Sequence, residues 1–160
     1  MSTTRTLHPA AAWSLVGAQF VLLMLLGFLP WGSLWQRGID ALVVGLTLVA
    51  LGGILAVVAG TGLGRALTPT PVPRDSAELT TTGIYGLVRH PLYSGLLVLG
   101  AGLVVIGASW LHVLAWVALL VLLAAKARLE EWMLLERHDE YAQYAARVGR
   151  LVPGVGRIRP

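Results

Sequence analysis

The sequence contains no cysteine and few charged residues. Without cysteine the chain has no disulfide, no thiolate metal ligand and no cysteine nucleophile. Charged residues make up 12% of the 160 residues, whereas a soluble domain typically has about 25%. Hydrophobic residues make up 56%, and the mean hydropathy is +0.75. These values indicate an integral membrane protein.

The histidines and the positive charge indicate neither a metal protein nor a nucleic-acid-binding protein. The four histidines are far apart in sequence, and no two have helical spacing, so we expect no metal site. The net charge is +4, but the basic residues flank apolar segments. We therefore expect them to meet membrane lipids, and we expect no nucleic-acid partner.

Four apolar segments are candidate membrane helices. They lie at residues 11–29, 41–59, 92–109 and 110–125. A spanning helix needs about 20 predominantly apolar residues, which the first two segments provide. The last two are shorter and predict a tight helical hairpin. The expected fold is an all-α integral membrane protein, one membrane domain over residues 1–160, with four transmembrane helices and cytoplasmic C-terminal amphipathic helices.

The charge distribution predicts the orientation of these helices. With four spans, Arg37 alone among the 12 lysine and arginine residues lies on the side opposite the two termini. Cytoplasmic segments carry the excess of basic residues, so we expect both termini in the cytoplasm. Trp31, Trp35 and Trp110 then lie at the opposite interface, where aromatic belts occur. The lysine-poor, Ala-, Leu- and Arg-rich composition favours a bacterial inner membrane.

Small and polar residues inside the spans predict helix contacts. Glycines recur in the second and third segments, including Gly45, Gly52, Gly95 and Gly102. Such residues let helix backbones approach closely, so we expect them at packing faces. Gln19 is the polar exception in the first segment, and we expect it to hydrogen-bond to a neighbouring helix.

One polar, sharply punctuated stretch lies directly against an apolar segment. Residues 83–95 read Gly-Ile-Tyr-Gly-Leu-Val-Arg-His-Pro-Leu-Tyr-Ser-Gly. Pro91 suits the first turn of the third helix, where a missing N–H costs nothing. His90 is then held extended outside that helix, beside free N–H groups that suit an anion or a carboxylate. The alternative is that Arg89 anchors to phosphate headgroups and the tyrosines belong to an aromatic belt.

The fourth segment continues beyond the membrane as a charged helix. Lys126 and Glu130 are four residues apart, and Arg128 and Glu131 are three apart. These spacings place each pair on one helix face, where salt-bridged pairs are usual. Because the pairs lie within one or two turns of the membrane, near the level of His90, we expect them to form the opposite wall of a pocket.

These residues resemble the isoprenylcysteine carboxyl methyltransferase family, to which phospholipid N-methyltransferases are related. The resemblance rests on Arg-His-Pro-x-Tyr-x-Gly at 89–95, a double glutamate at 130–131, and Tyr-x-x-Tyr-x-x-Arg-Val-x-Arg-x-x-Pro at 141–153. It covers about residues 75–155, the expected cofactor-binding half. The stretch between Glu131 and Tyr141 is one residue shorter than usual and has His-Asp where Phe-Gly is common. The N-terminal half carries no family signature.

The resemblance implies a methyltransferase that binds S-adenosylmethionine in a pocket facing the cytosol and methylates a lipophilic small molecule. The implied cofactor contacts are Leu79, Thr80, Tyr85, His90, Pro91, Leu92, Tyr93, Glu130 and Glu131. The two neighbouring glutamates are alternatives for one contact. The basic residues implied in orienting the substrate are Arg89, Lys126 and Arg128. Lys126 and Arg128 compete for one place.

Two other functions stay open on the sequence. NADPH-dependent sterol reductases of membranes have a similar Arg-His-Pro segment, typically followed by Asn, where this chain has Leu92. A non-catalytic four-helix scaffold would explain the spans but not the coincidence of His90, Tyr93 and Glu130. The methyl acceptor is also open: an isoprenylcysteine carboxylate, a phospholipid amine, a thiol and a quinone-like lipid are all compatible.

Overall fold

The computed structural model describes residues 8–64, 68, 70, 72 and 79–158. Within these residues the regular secondary structure is helical, and one isolated parallel β-bridge joins Val88 and Gly149. The α-helices are α1 (Pro9–Phe28), α2 (Ile39–Leu63), α3 (Pro91–Gly107), α4 (Trp110–Arg137) and α5 (Tyr141–Arg147), and Gly83–Gly86 form a 3-10 helix.

Proline and glycine determine several helix ends. Pro9 and Pro91 begin α1 and α3, at positions where an N–H would have no partner within the helix. Gly64 caps the C-terminus of α2, with a φ of 50° that suits glycine and an N–H that donates to the carbonyl of Gly60. The third helix therefore begins at Pro91, as the sequence predicted.

Glycines bring α2 and α3 into backbone contact. Gly52 of α2 faces Gly95 of α3, and Gly45 faces Gly102 about two turns away. A methyl group at Gly95 would lie 2.7 Å from the backbone nitrogen of Ala56, and one at Gly102 would lie 2.5 Å from the carbonyl oxygen of Gly45. Neither position has room for a side chain, which confirms the predicted small-residue packing faces.

The apolar core joins α1, α3 and α4, while the outer faces stay apolar as well. Leu26 of α1 is buried with Leu119 and Leu123 of α4 and Leu97 of α3. By contrast, only 17% of the most apolar stretch of α1 and 11% of that of α2 are buried. So large an exposed apolar surface is expected where lipid surrounds the helices.

Three helices are long and apolar enough to cross a membrane, namely α1, α2 and α4. α3 is apolar but has 17 residues, so length and composition support three of the four predicted spans. α4 continues to Arg137 as predicted. In the described part of the tail, the predicted amphipathic helices reduce to α5, which has seven residues and is followed by turns.

The end of the bundle opposite the polar stretch carries three tryptophans. The indole of Trp35 donates to the carbonyl of Val105 in α3 at 2.9 Å. Trp31 and Trp110 are exposed, and the guanidinium of Arg37 lies 5.0 Å from the Trp31 ring centroid. The tryptophans therefore share one end, as an interfacial belt would.

Candidate functional site

The polar stretch is paired with the C-terminal tail. The backbone N–H of Arg89 donates to the carbonyl of Gly149 at 2.8 Å, and that of His90 donates to the carbonyl of Arg150 at 3.1 Å. The side chain of Ser94 donates to the carbonyl of Leu151 at 2.6 Å. This pairing places the tail over the start of α3, next to α4.

Glu131 lies between two arginines from distant parts of the chain. Its Oε1 accepts from Nε of Arg89 at 2.8 Å and from Nη2 at 2.6 Å. Its Oε2 accepts from Nε of Arg150 at 2.8 Å and lies 2.7 Å from Nη2. We refer to Arg89, Glu131 and Arg150 as the clamp. The clamp joins the polar stretch, α4 and the tail.

Arg89 has no hydrogen-bond donor left for a ligand. Besides Glu131, its guanidinium donates to the carbonyl oxygens of Ala145 at 3.0 Å, of Gly156 at 2.9 Å, and of Val148. All five donors of the guanidinium are therefore used within the protein. The side chain is also almost fully buried. Its geometry is that of a residue that holds the tail in place.

His90 lies between the clamp on one side and Tyr93 and the partly exposed Glu130 on the other. Its ring stacks on Tyr93, with centroids 5.4 Å apart and planes inclined by 3°. Nε2 lies 3.3 Å from Oε1 of Glu131, and Nδ1 lies 3.5 Å from Oε2 of Glu130. Burial lowers the pKa of His90, but hydrogen bonds to the two carboxylates and their negative charge raise it, and the net direction is upward.

Glu130 is the accessible carboxylate of the site. Its side chain is 24% exposed, whereas that of Glu131 is 3% exposed. Its Oε2 accepts a hydrogen bond from the hydroxyl of Tyr93 at 3.2 Å. Adjacent residues on a helix point about 100° apart, which explains why one glutamate enters the clamp and the other faces outward.

Lys126 and Arg128 have different surroundings. Lys126 is buried, its Nζ donates to Oε1 of Gln19 in α1 at 2.5 Å, and it lies 5.2 Å from the Tyr93 ring centroid. Arg128 is exposed. The residues that share faces of α4 bond elsewhere: Lys126 to Gln19, and Glu131 to Arg89 and Arg150. The expected hydrogen bond between Gln19 and a neighbouring helix is confirmed, with Gln19 as the acceptor.

The remaining predicted contacts line the same end of the fold. The hydroxyl of Tyr85 donates to the carbonyl of Ala59 at 3.0 Å, and that of Tyr144 donates to the carbonyl of Tyr85 at 2.6 Å. Burial raises the pKa of Tyr144 to about 12. Leu79 is half-buried and packs against the buried tyrosines of α5. The half-buried residues of this group also include Thr80 and Leu92.

Two residues of the site were not among the predicted site residues. Gln19 was expected to make only a structural hydrogen bond, and its partner could not be inferred from its own helix. Arg150 belonged to the tail motif, but nothing in its spacing indicates that it reaches Glu131. Both contacts join residues far apart in sequence, so local patterns give no signal for them.

The chain is similar to several known proteins. The phospholipid methyltransferase family model matches residues 41–140. Protein-S-isoprenylcysteine O-methyltransferase B of Arabidopsis thaliana is 34% identical over 115 residues, which cover 69% of this chain and 58% of that protein. Cobalt-zinc-cadmium resistance protein CzcN of Cupriavidus metallidurans is 31% identical over 157 residues, which cover 96% of this chain and 68% of that protein.

A solved structure has the same fold. The eukaryotic intramembrane Ras methyltransferase ICMT (isoprenylcysteine carboxyl methyltransferase) superposes with a TM-score of 0.68 at 23% identity. The match covers 96% of this chain and 56% of that one. The chain therefore spans a little more than half the length of this enzyme and of the Arabidopsis relative.

Proposed function

The chain belongs to the phospholipid methyltransferase family, and we propose that it is an S-adenosylmethionine-dependent methyltransferase acting on a lipophilic small molecule at the cytosolic face of a membrane. The basic side expected in the cytoplasm is the side that carries the polar stretch and the tail. A pocket at this level can admit a charged cofactor from water and an apolar acceptor from lipid.

The observation that carries this proposal is the open carboxylate of Glu130. It lies beside the N-terminus of α3 and is oriented by Tyr93 and His90. An ionised carboxylate in this position accepts hydrogen bonds from an ammonium group or from ribose hydroxyls. We therefore assign the cofactor contact to Glu130 and a structural role to Glu131.

The surrounding groups also suit the two ends of S-adenosylmethionine, namely its amino-acid carboxylate and its base. The N–H groups of Leu92 and Tyr93 lie in the first turn of α3, where the helix provides no acceptor and the dipole favours an anion. The hydroxyl of Tyr141 is buried without a hydrogen-bond partner among the described residues, in the cluster against which Leu79 packs. The apolar side chains there suit a flat base.

The bound cofactor would supply a methyl group carried on a positively charged sulfur. This sulfur is a good leaving group, so its displacement requires alignment more than acid–base catalysis. The chain contributes positioning and exclusion of water. The clamp fixes the tail over the start of α3, and the stack of His90 on Tyr93 fixes the orientation of Glu130. Lys126, rather than the exposed Arg128, is placed to orient an anionic acceptor.

The relatives and the membrane setting support the acceptor class that we propose. The Arabidopsis relative is named as an enzyme that O-methylates isoprenylcysteine. A lipophilic carboxylate is therefore the acceptor that we propose, with O-methylation as the reaction. Neither the reductase nor the scaffold alternative is favoured by the relatives found.

Binding of S-adenosylhomocysteine to the purified protein tests the proposal. In nanodiscs, isothermal titration calorimetry should detect binding by the wild type. Because Glu130 would accept charge-assisted hydrogen bonds, Glu130→Gln should weaken binding about tenfold or more. Glu136→Gln, an exposed carboxylate on the same helix, is the matched control and should bind as the wild type does.

Two results would overturn this assignment. One is a wild-type protein that does not bind S-adenosylhomocysteine. The other is unchanged binding by both Glu130→Gln and His90→Ala. Thermal stabilisation by NADPH, without any by S-adenosylmethionine, would instead favour the reductase.

A further inference from the structure

Lys126 is an unusual residue in this chain. It is the single lysine among 160 residues. It belongs to α4, one of the helices able to cross a membrane, and its relative exposure is 1%. Ionisable residues at such positions are costly and are usually retained for a function.

Among the described residues, no carboxylate contacts the Lys126 ammonium directly, although the negative charge of Glu130 acts on it from one turn along α4. No acidic oxygen there lies within 4.0 Å of its Nζ. Glu130, one turn further along α4, directs its Oε2 to Tyr93 and His90 instead. The contacts of Lys126 are the neutral amide of Gln19 and the face of the Tyr93 ring.

These two contacts stabilise an ammonium without neutralising it. An amide oxygen and an aromatic face both attract a cation, but neither carries a formal negative charge. An ammonium has three N–H donors, and the bond to Gln19 uses one. The other two donors have no hydrogen-bond partner among the described residues, so they are the groups that would bind an anion reaching this buried side chain.

Resting on the proposed function, we propose that Gln19 is a positioning and specificity-determining residue. Its amide holds Lys126 as an ammonium without a carboxylate in direct contact, and this ammonium receives the anionic headgroup of a lipophilic carboxylate. Gln19 lies in α1, outside residues 41–140 that match the family model. The N-terminal helix therefore contributes to acceptor selection.

The charge and the hydrogen-bonding capacity of the residue at position 19 determine the state in which Lys126 is held. A glutamate there would keep the hydrogen bond but would neutralise the ammonium and repel an anion. A leucine would leave the ammonium without its fixed orientation. Glutamine gives both a fixed direction and a retained charge, which is the combination that an anion site requires.

Tyr93 connects this anion site to the cofactor contact. Its ring lies against Lys126, and its hydroxyl is bonded to Glu130. An acceptor headgroup held by Lys126 would thus lie next to Tyr93, which orients Glu130, the carboxylate that we propose contacts the cofactor.

The single lysine makes a direct test possible. Protein labelled with ¹⁵N at lysine Nζ gives one side-chain resonance, which can be followed in phosphatidylcholine nanodiscs. Laurate and lauramide have the same chain and differ in headgroup charge. We expect laurate to shift the Lys126 resonance saturably and lauramide to leave it unchanged.

Variants at position 19 separate an anion site from a purely structural contact. Gln19→Leu should weaken laurate binding about tenfold, the usual loss for a hydrogen bond that orients a charged group. Gln19→Glu should abolish it, although this variant retains the bond to Lys126. Ser14→Ala is the matched control and should bind laurate normally. Ser14 is an exposed residue of the same helix, and its hydroxyl donates to the carbonyl of Ala10.

Equal shifts with laurate and lauramide in the wild type would overturn the proposal, as would normal laurate binding by Gln19→Glu. The binding of S-adenosylhomocysteine is measured on the same samples. If S-adenosylhomocysteine does not bind, the proposed function is rejected, and the lysine resonance still tests the anion site. If it binds but laurate is not preferred over lauramide, only the anion site is rejected.

Discussion

The polar end of the bundle has two halves that differ in how completely their hydrogen bonds are satisfied. In the clamp, both oxygens of Glu131 and all five donors of Arg89 have partners within the protein. In the other half, Glu130 is partly exposed and Lys126 has no carboxylate in direct contact among the described residues. The first half holds chain segments together, and the second keeps charges available to ligands.

This contrast explains why adjacent glutamates should behave differently when mutated. A saturated buried ion pair contributes through the penalty of breaking it, because the remaining charge is left without a partner. An accessible carboxylate contributes little to stability, because water can replace its partners. Stability and ligand binding should therefore separate between positions 131 and 130.

The largest expected effect is on folding, at position 131. Glu131→Ala leaves the buried Arg89 and the partly exposed Arg150 without their carboxylate, which should destabilise the protein by about 3–5 kcal/mol. Thermal denaturation followed by circular dichroism in one detergent measures this loss. A melting temperature within experimental error of that of the wild type would contradict the role given to the clamp.

The next effect is on binding, at position 130. Glu130→Gln should change stability by less than about 1 kcal/mol, because the side chain is partly exposed. The same variant should lose affinity for S-adenosylhomocysteine about tenfold or more. If Glu130→Gln instead unfolded as Glu131→Ala does, the two halves would not be distinct.

A smaller effect should follow from the hydroxyl that orients Glu130. Tyr93→Phe removes the 3.2 Å hydrogen bond but keeps the ring that packs on His90 and Lys126. The loss should be about 1 kcal/mol, seen as a roughly fivefold weaker binding of S-adenosylhomocysteine. Tyr93→Leu also removes the ring and should weaken binding further. Equal affinities for the two variants would show that the ring contributes nothing.

The smallest effect is the pH dependence of stability. The pKa of His90 is raised in the folded protein, so its protonated ring stabilises the fold. This contribution should be complete below about pH 6.5, the unfolded value, and should be lost as the pH rises through the raised folded value. Denaturation of the wild type and of His90→Gln between about pH 5 and about pH 9 measures this contribution. An equal pH slope in both proteins would contradict it.

The sequence predicted the features that depend on neighbouring residues. The start of α3 at Pro91, the position of His90 before it, the continuation of α4 and the glycine faces all follow from local geometry. Helical spacing gave only the shared faces of Lys126 with Glu130 and of Arg128 with Glu131. It did not reveal that the tail brings Arg150 to Glu131 and that α1 brings Gln19 to Lys126.

Contacts between helices were the part that local patterns could not predict. Which of two adjacent glutamates faces inward depends on the rotation of α4, and that rotation depends on packing against α1 and α3. The span count had the same difficulty. α3 has 17 residues and packs closely on α2, so its own length does not decide whether it crosses the membrane.

Transfer of a labelled methyl group tests the central claim most directly. Membranes containing the wild-type protein or Glu130→Gln are incubated with methyl-labelled S-adenosylmethionine, and their lipids are extracted and profiled. We predict a labelled lipophilic methyl ester with the wild type and a strongly reduced amount with Glu130→Gln. The absence of any labelled lipophilic product from the wild-type membranes, or an equal amount from both, would contradict the account.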